Sequence, residues 1–218
     1  MCGRLNVSDN PHIQALMEDL GMPIFPAFAA RWNVSPGALI NVVTRTQTTA
    51  VTWGINFNGF SHPNSRATTI SRRNDLKDYL VQYPCLVPVN GFYEWPDTKL
   101  YPQWRGHDVR FHISTPDNAL FLAAFAKPST AGWQANIITT DATEKMANFH
   151  HRSPVILKPS EALQWLQHRQ PKARLDMCKP YTGELNLYAC SSFVDNAKHE
   201  GDECMAAAGI YAEQISLL

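Results

Sequence analysis

The chain opens Met1-Cys2-Gly3-Arg4, and a cysteine in second place carries chemistry that no internal cysteine has. Methionine aminopeptidases trim Met ahead of a small side chain, which would leave Cys2 as a 1,2-aminothiol. Its amine has a reference pKa of about 7.7–8.0 and its thiol one of about 8.5, so both are partly nucleophilic near neutrality. The amine condenses with an aldehyde to a Schiff base, and the thiol then closes a thiazolidine ring. An internal cysteine cannot do this, because its nitrogen is an amide. Gly3 lets backbone approach a ligand closely, and Arg4 suits a phosphate. A Met-Cys start is more commonly a buried terminus, so other residues must decide.

Three further stretches hold groups that such a capture would use. Asn90-Gly91-Phe92-Tyr93-Glu94-Trp95 follows the apolar run Cys85–Val89. A carboxylate flanked by Tyr93 and Trp95 is desolvated if it points inward, which raises its pKa toward general acid–base use. The plain alternative is a strand residue with its carboxylate in water. Phe149-His150-His151-Arg152-Ser153-Pro154 precedes Val155-Ile156-Leu157. Histidine titrates near neutrality and can shuttle a proton. In an extended segment His150 and Arg152 share a side and His151 points away; a solvated polar turn would read the same. Pro63-Asn64-Ser65-Arg66 with Ser71-Arg72-Arg73 places three arginines within eight residues. Asn64 can donate to and accept from one sugar oxygen, and the arginines form a local phosphate patch. A helix start with solvated arginines is the competing reading.

The elements that must position these groups are short. One helix is expected over Pro11–Leu20, capped by Asp9 or Asn10 and stopped at Gly21, with Ile13, Leu16, Met17 and Leu20 on one face. Others are expected over Arg72–Leu80, from Ser160 onward, and over Thr143–Asn148. Strands are expected at Leu39–Thr44, Thr48–Trp53, Cys85–Val89, Val109–Ile113, Leu120–Phe125 and Asn136–Thr139. They do not alternate regularly with helices, which argues against a doubly wound parallel sheet. The expected architecture is α+β: a single compact domain over residues 1–218, with a mainly antiparallel barrel-like sheet and a few peripheral helices. Residues 167–183, polar with two prolines, are expected to be an exposed excursion.

With 44% hydrophobic and 17% charged residues, the composition is that of a soluble globular protein. Nineteen basic and nineteen acidic side chains cancel, so any DNA contact must rest on a local cluster. No stretch approaches the roughly 18 apolar residues of a membrane span, and no secretory signal is evident; a cytoplasmic setting is the expectation. Cys2, Cys85, Cys178, Cys190 and Cys204 are odd in number and lack a Cys-x-x-Cys pair, which suggests neither a disulfide framework nor zinc.

Taken in order, Cys2-Gly3-Arg4, Trp32-Asn33-Val34-Ser35-Pro36-Gly37, Trp53-Gly54, Asn64-x-Arg66, Gly91-Phe92-Tyr93-Glu94-Trp95, Ile138-Thr139-Thr140 and His150-x-Arg152-x-Pro154 resemble the SRAP family (SOS response-associated peptidase). Ser160-Glu161-Ala162-Leu163, Trp165-Leu166, Val194-Asp195-Asn196 and Lys198-His199-Glu200-Gly201 extend the resemblance over essentially the whole chain. The resemblance implies an abasic-site shield and DNA–protein cross-linker acting on single-stranded DNA, with associated lyase and self-reversal activity. It implies Cys2 as nucleophile, Glu94 and His150 as proton carriers, and Asn64 as the residue holding Cys2 and the sugar. Arg4, Arg66, Arg72 and Arg152 would then meet flanking phosphates. No metal or other cofactor, no membrane and no second subunit is expected. Two departures stand out. Asn64-Ser65-Arg66-Ala67-Thr68 lacks the carboxylate that often follows the arginine. The loop between Gly54 and Asn64 is short and carries Phe57 and Phe60 where relatives place tryptophans, although phenylalanine can still stack on a base. The competing functions are an N-terminal-nucleophile peptidase, with Cys2 attacking an amide, and a non-covalent single-stranded-DNA binding module.

Overall fold

The computed structural model describes residues 2–8, 11–26 and 29–208. Strands Pro84–Val89 and Leu120–Ser129 are almost wholly apolar in their buried parts, as strands covered on both faces must be. Alternation sends their side chains to two cores. Cys85, Val87, Val89, Leu122, Ala124 and Ala126 enter one, while Leu86, Phe121, Ala123 and Phe125 enter the other. The two strands pair antiparallel, with Phe125 opposite Pro84 and Leu120 opposite Val89. Leu39–Val43 joins Pro84–Val89 and forms a hairpin with Thr48–Trp53. Gly132–Asp141 pairs antiparallel with Leu120–Ser129 and parallel with Thr48–Trp53. That parallel pair closes five strands into a barrel. The first core fills it, and the second lies between barrel and helices.

A five-stranded antiparallel sheet covers one side, in the order Asn186–Ala189, Phe111–Ser114, Gly91–Glu94, Arg4–Val7 and Arg31–Val34. Its Leu5, Val34, Phe92, Phe111 and Ile113 extend the barrel core. The architecture is therefore the expected α+β arrangement. Helices Pro11–Asp19, Asn74–Gln82 and Pro159–Gln167 cover the second core through Ile13 and Met17, Leu76 and Leu80, and Trp165. Glu161 accepts from the Lys158 backbone N–H at 2.8 Å, stopping the start of the third helix from fraying. The caps expected at Asp9 or Asn10 lie outside the described residues.

Several boundaries differ from the sequence reading. The helix expected from Arg72 begins at Asn74, after a separate four-residue turn of helix at Ala67–Ile70. Thr143–Asn148 holds only a 3-10 turn at Met146–Asn148. The expected excursion at 167–183 contains a helix, Pro171–Met177, whose Arg174 is 1% exposed. The short 55–62 segment is a two-stranded hairpin: Asn58 and Gly59 at its tip both have positive φ (53° and 84°), the twist that suits a right-handed strand pair. No helix among the described residues is long and apolar enough to cross a membrane.

Candidate functional site

Cys2 lies just before the strand Arg4–Val7, which pairs with Gly91–Glu94. This pairing brings the N-terminal segment to Glu94 without any long loop. Asn64 approaches from the other side, on a short strand running parallel to Gly132–Asp141 with Asn64 opposite Ile137 and Arg66 opposite Thr139. That strand is fastened on either side: the Trp53 indole donates to the Pro63 carbonyl at 3.1 Å, and Asn136 donates to the His62 carbonyl at 2.7 Å. The Asn64 side-chain amide donates to the Cys2 carbonyl at 2.8 Å. Its Oδ1 is buried with no partner among the described residues, an acceptor left available beside Cys2.

Glu94 is 3% exposed, and burial raises its pKa to about 7, against a backbone hydrogen bond at Trp95 and the charge of Arg152. The cause of that burial differs from the sequence reading. Tyr93 and Trp95 sit on the opposite side of the strand, packed with Cys190, Val194 and Cys204; Phe92, two residues before Glu94, belongs to the barrel core with Cys2. Cys2 is itself fully buried, and desolvation, then the nearby Glu94 charge, pushes its thiol well above the ordinary range. The thiol is therefore neutral near pH 7, a correction to the expectation of two ready nucleophiles.

His150 and Arg152 are joined, but through the Arg152 backbone and not by the extended alternation expected. His150 Nδ1 lies 2.9 Å from the Arg152 carbonyl and 3.1 Å from its backbone nitrogen, which fixes the ring. Burial pushes this histidine down to about 4, so it is neutral at physiological pH. Arg152 is 7% exposed and donates to the Thr139 hydroxyl. His151 does not point away. Its ring stacks on that of His150, with centroids 4.8 Å apart and planes at 24°, because both residues precede the strand that starts at Arg152. Arg66 Nη2 donates to His151 Nε2 at 3.1 Å, which places the ring proton on Nδ1, 3.8 Å from Asp97. Asp97, His150 and His151 bring ligand-type atoms within 4.8 Å of one another. Arg66 occupies Nε2 of His151 and the Arg152 carbonyl engages Nδ1 of His150, so the trio is a ring stack beside Arg66 with Asp97 at charge-contact distance from His151.

Arg72 is exposed after the helical turn Ala67–Ile70 that follows Arg66, and Arg73 pairs with Asp75 while lying 5.3 Å from the Phe57 ring centroid. Phe60 is 72% exposed at the hairpin edge. Arg4 lies apart from the cluster. Its guanidinium donates to Asn33 at 3.1 Å and to the carbonyls of Val194 and Asp195. Asn33 donates to the carbonyls of Val194 and Asn196, and Glu200 accepts from the backbone of Trp32 and Asn33. The late Val194-Asp195-Asn196 and Glu200 motifs thus clamp the strand Arg31–Val34 beside the one that follows Cys2. Sequence reasoning did not single out Asp97 or Thr139 as site residues. Thr139 sat in a quoted motif, but a lone Asp97 between Pro96 and Thr98 carries no signal.

Several relatives share this chain's length. A Bacillus subtilis protein described as abasic site processing protein YoqW is 25% identical, covering 93% of this chain and 98% of its own. Abasic site processing protein YoaM of the same species is 28% identical over 81% of this chain and 84% of its own. The Escherichia coli protein YedK, described in the same words, is 24% identical over 93% and 98%. A crystal structure of a Bacteroides thetaiotaomicron protein superposes with a TM-score of 0.75 at 19% identity, over 93% of this chain and 99% of that one. A phage-related protein from Bordetella bronchiseptica gives 0.68 at 20% identity, over 88% and 95%. With residues 1–197 matching the family described as SOS response associated peptidase (SRAP), the chain belongs to the SRAP family.

Proposed function

We propose that this protein captures abasic sites in single-stranded DNA as a covalent thiazolidine at Cys2. The observation that carries the reading is the cluster itself: a Cys2 backbone held by Asn64 beside a buried carboxylate poised near neutrality. The relatives' description as abasic site processing proteins supports the substrate.

An abasic deoxyribose must open before it offers a C1′ aldehyde. One proton leaves the anomeric hydroxyl and another reaches the ring oxygen, and Glu94 and His150 supply that exchange. Once Met1 is removed, the neutral Cys2 amine adds to C1′ and gives up a proton to Glu94. The carbinolamine then loses water to form the Schiff base. The thiol adds across C=N: the S–C1′ bond forms, and the thiol proton ends on nitrogen. Aldehyde and aminothiol thus give thiazolidine and one water. The Schiff base also acidifies the hydrogens at C2′; loss of one of them as a proton forms the C2′=C3′ bond and expels the 3′ phosphate, the route by which lyase activity would arise. Arg66, Arg72 and Arg152 meet flanking phosphates, with Arg66 held by His151. Phe60 offers a free ring to a base. Arg4 acts through the fold, fixing the strand that follows Cys2.

A denaturing gel tests this directly. A single-stranded oligonucleotide with one abasic site should give a shifted band that survives heating in detergent and is absent with Cys2→Ala. Equal cross-linking by the variant would overturn the assignment.

A further inference from the structure

A cavity of about 470 Å³ opens at the end of the barrel remote from Cys2. Register fixes its place: Tyr83, Ala126 and Trp133 stand where Pro84 faces Phe125, whereas Thr139 and Asp141 face the strand of Arg152. Trp133 and Thr139 lie on one strand about 20 Å apart at the usual rise. The Tyr83 and Trp133 rings meet edge to face at 5.0 Å, and Trp133 is 44% exposed. Arg45, Arg169 and Arg174 line the cavity together with His168, and among the described residues no Asp or Glu does. In a chain of balanced charge that is a local excess of cation. Arg174 is 1% exposed. Its Nε donates to the Trp165 carbonyl at 2.8 Å and Nη1 to the Leu80 carbonyl at 2.9 Å, tying together the ends of two helices. Nη2 has no partner among the described residues. Burial pushes the guanidinium down to about 10 with no carboxylate opposing it. The helix carbonyls account for how Arg174 is anchored and leave its counter-ion unaccounted for.

A line of rings and cations leads there from the 55–62 hairpin. Lys127 Nζ lies 5.2 Å from the Phe57 ring centroid and 6.0 Å from that of Tyr79; Tyr79 stacks on Tyr83 at 6.5 Å, and Tyr83 touches Trp133. A row of rings with a lysine among them suits a single strand.

We propose that this cavity is a second, nucleotide-binding site, with the base against Trp133 and Tyr83 and the phosphate at Arg174, Arg45 and Arg169. The nucleotide is either free or part of a DNA strand following the ring–cation line; only the strand form rests on the DNA reading above. Titration calorimetry with thymidine 5′-monophosphate, thymidine and inorganic phosphate tests the free form. Fluorescence anisotropy with undamaged oligothymidylates of about four and about 16 nucleotides tests the strand form. Trp133→Ala and the double variant Arg45→Ala/Arg169→Ala change exposed side chains, so folding is not at stake. Each should weaken the monophosphate or the long strand at least roughly fivefold, the lower end of one stacked base. Cross-linking at Cys2 of a separate short strand carrying one abasic site should stay at the parent's rate. Variants that bind like the parent, or thymidine binding as well as its monophosphate, would overturn the site. If the parent fails to cross-link while Trp133→Ala still weakens the monophosphate, the DNA reading fails and the cavity stands.

Discussion

Glu94 is an acid whose folded environment favours its proton, raised from 4.5 to about 7 by burial. Between those pH values the folded chain holds a proton that the unfolded chain has released. Stability contributed this way is present below about 4.5 and falls by up to roughly 3 kcal/mol as pH rises to 7. His150 and His112, both pushed down to about 4 by burial, act in the opposite sense. Between about 4 and 6.5 the unfolded chain binds their protons more tightly, so their contribution rises with pH. The parent's profile mixes the two, and Glu94→Gln isolates one. The variant should be more stable than the parent at pH 8 by about 1–3 kcal/mol and lose that advantage near pH 4. It should also cross-link about 10²–10⁴ times more slowly while still binding DNA. Urea denaturation at both pH values and a gel time course measure this. A parent-to-variant difference that does not change with pH would mean the carboxylate is not buried as an acid.

At the scale of elements, the strand Gly91–Glu94 is the middle one of its sheet, between Arg4–Val7 and Phe111–Ser114. Gly91 is required by a close approach: a Cβ there would meet His112 Nε2 at 2.5 Å and the Ile113 carbonyl oxygen at 2.7 Å. The histidine ring can shift, but the carbonyl is backbone. Gly91→Ala should therefore destabilise by about 1–3 kcal/mol and slow cross-linking, since Glu94 rides on the same strand. A urea midpoint equal to the parent's would show that the sheet yields freely. Elements of this kind were unevenly legible. The runs at Cys85 and Leu120 announced barrel strands because burial on both faces demands continuous apolar sequence, and those at Leu39 and Thr48 did so through their β-branched residues. Arg4–Val7, Arg31–Val34 and Asn186–Ala189 did not, since partners far away in the chain hold them. The helix Pro171–Met177 escaped because the residue it buries is an arginine. The site divides the same way. Cys2, Asn64, Glu94 and His150 stood in motifs whose chemistry was readable. The His151 contact with Arg66 depends on how the chain turns into Arg152, which spacing alone does not reveal.

At the scale of the whole molecule, balanced charge makes salt dependence a count of local contacts. With nineteen basic and nineteen acidic side chains, no long-range field adds to the phosphate contacts themselves. Arg66, Arg72 and Arg152, the phosphate contacts proposed above, together with Arg73, next in sequence to Arg72, supply four local cations. Four neutralised phosphates on a single strand give a slope of log K against log salt of about −3, at about −0.7 per contact. A short strand spanning only the site should show that value. If a long strand reaches the remote cavity, Arg45 and Arg169 add two contacts and the slope steepens to about −4. The double variant Arg45→Ala/Arg169→Ala should return the long strand to about −3 and leave the short strand unchanged. Anisotropy titrations across a salt series with both lengths measure the four slopes. Equal slopes for long and short strands in the parent would confine the DNA to one end of the barrel. A fall in slope for both lengths would place the two arginines within reach of the site, against the separation that the strand register imposes.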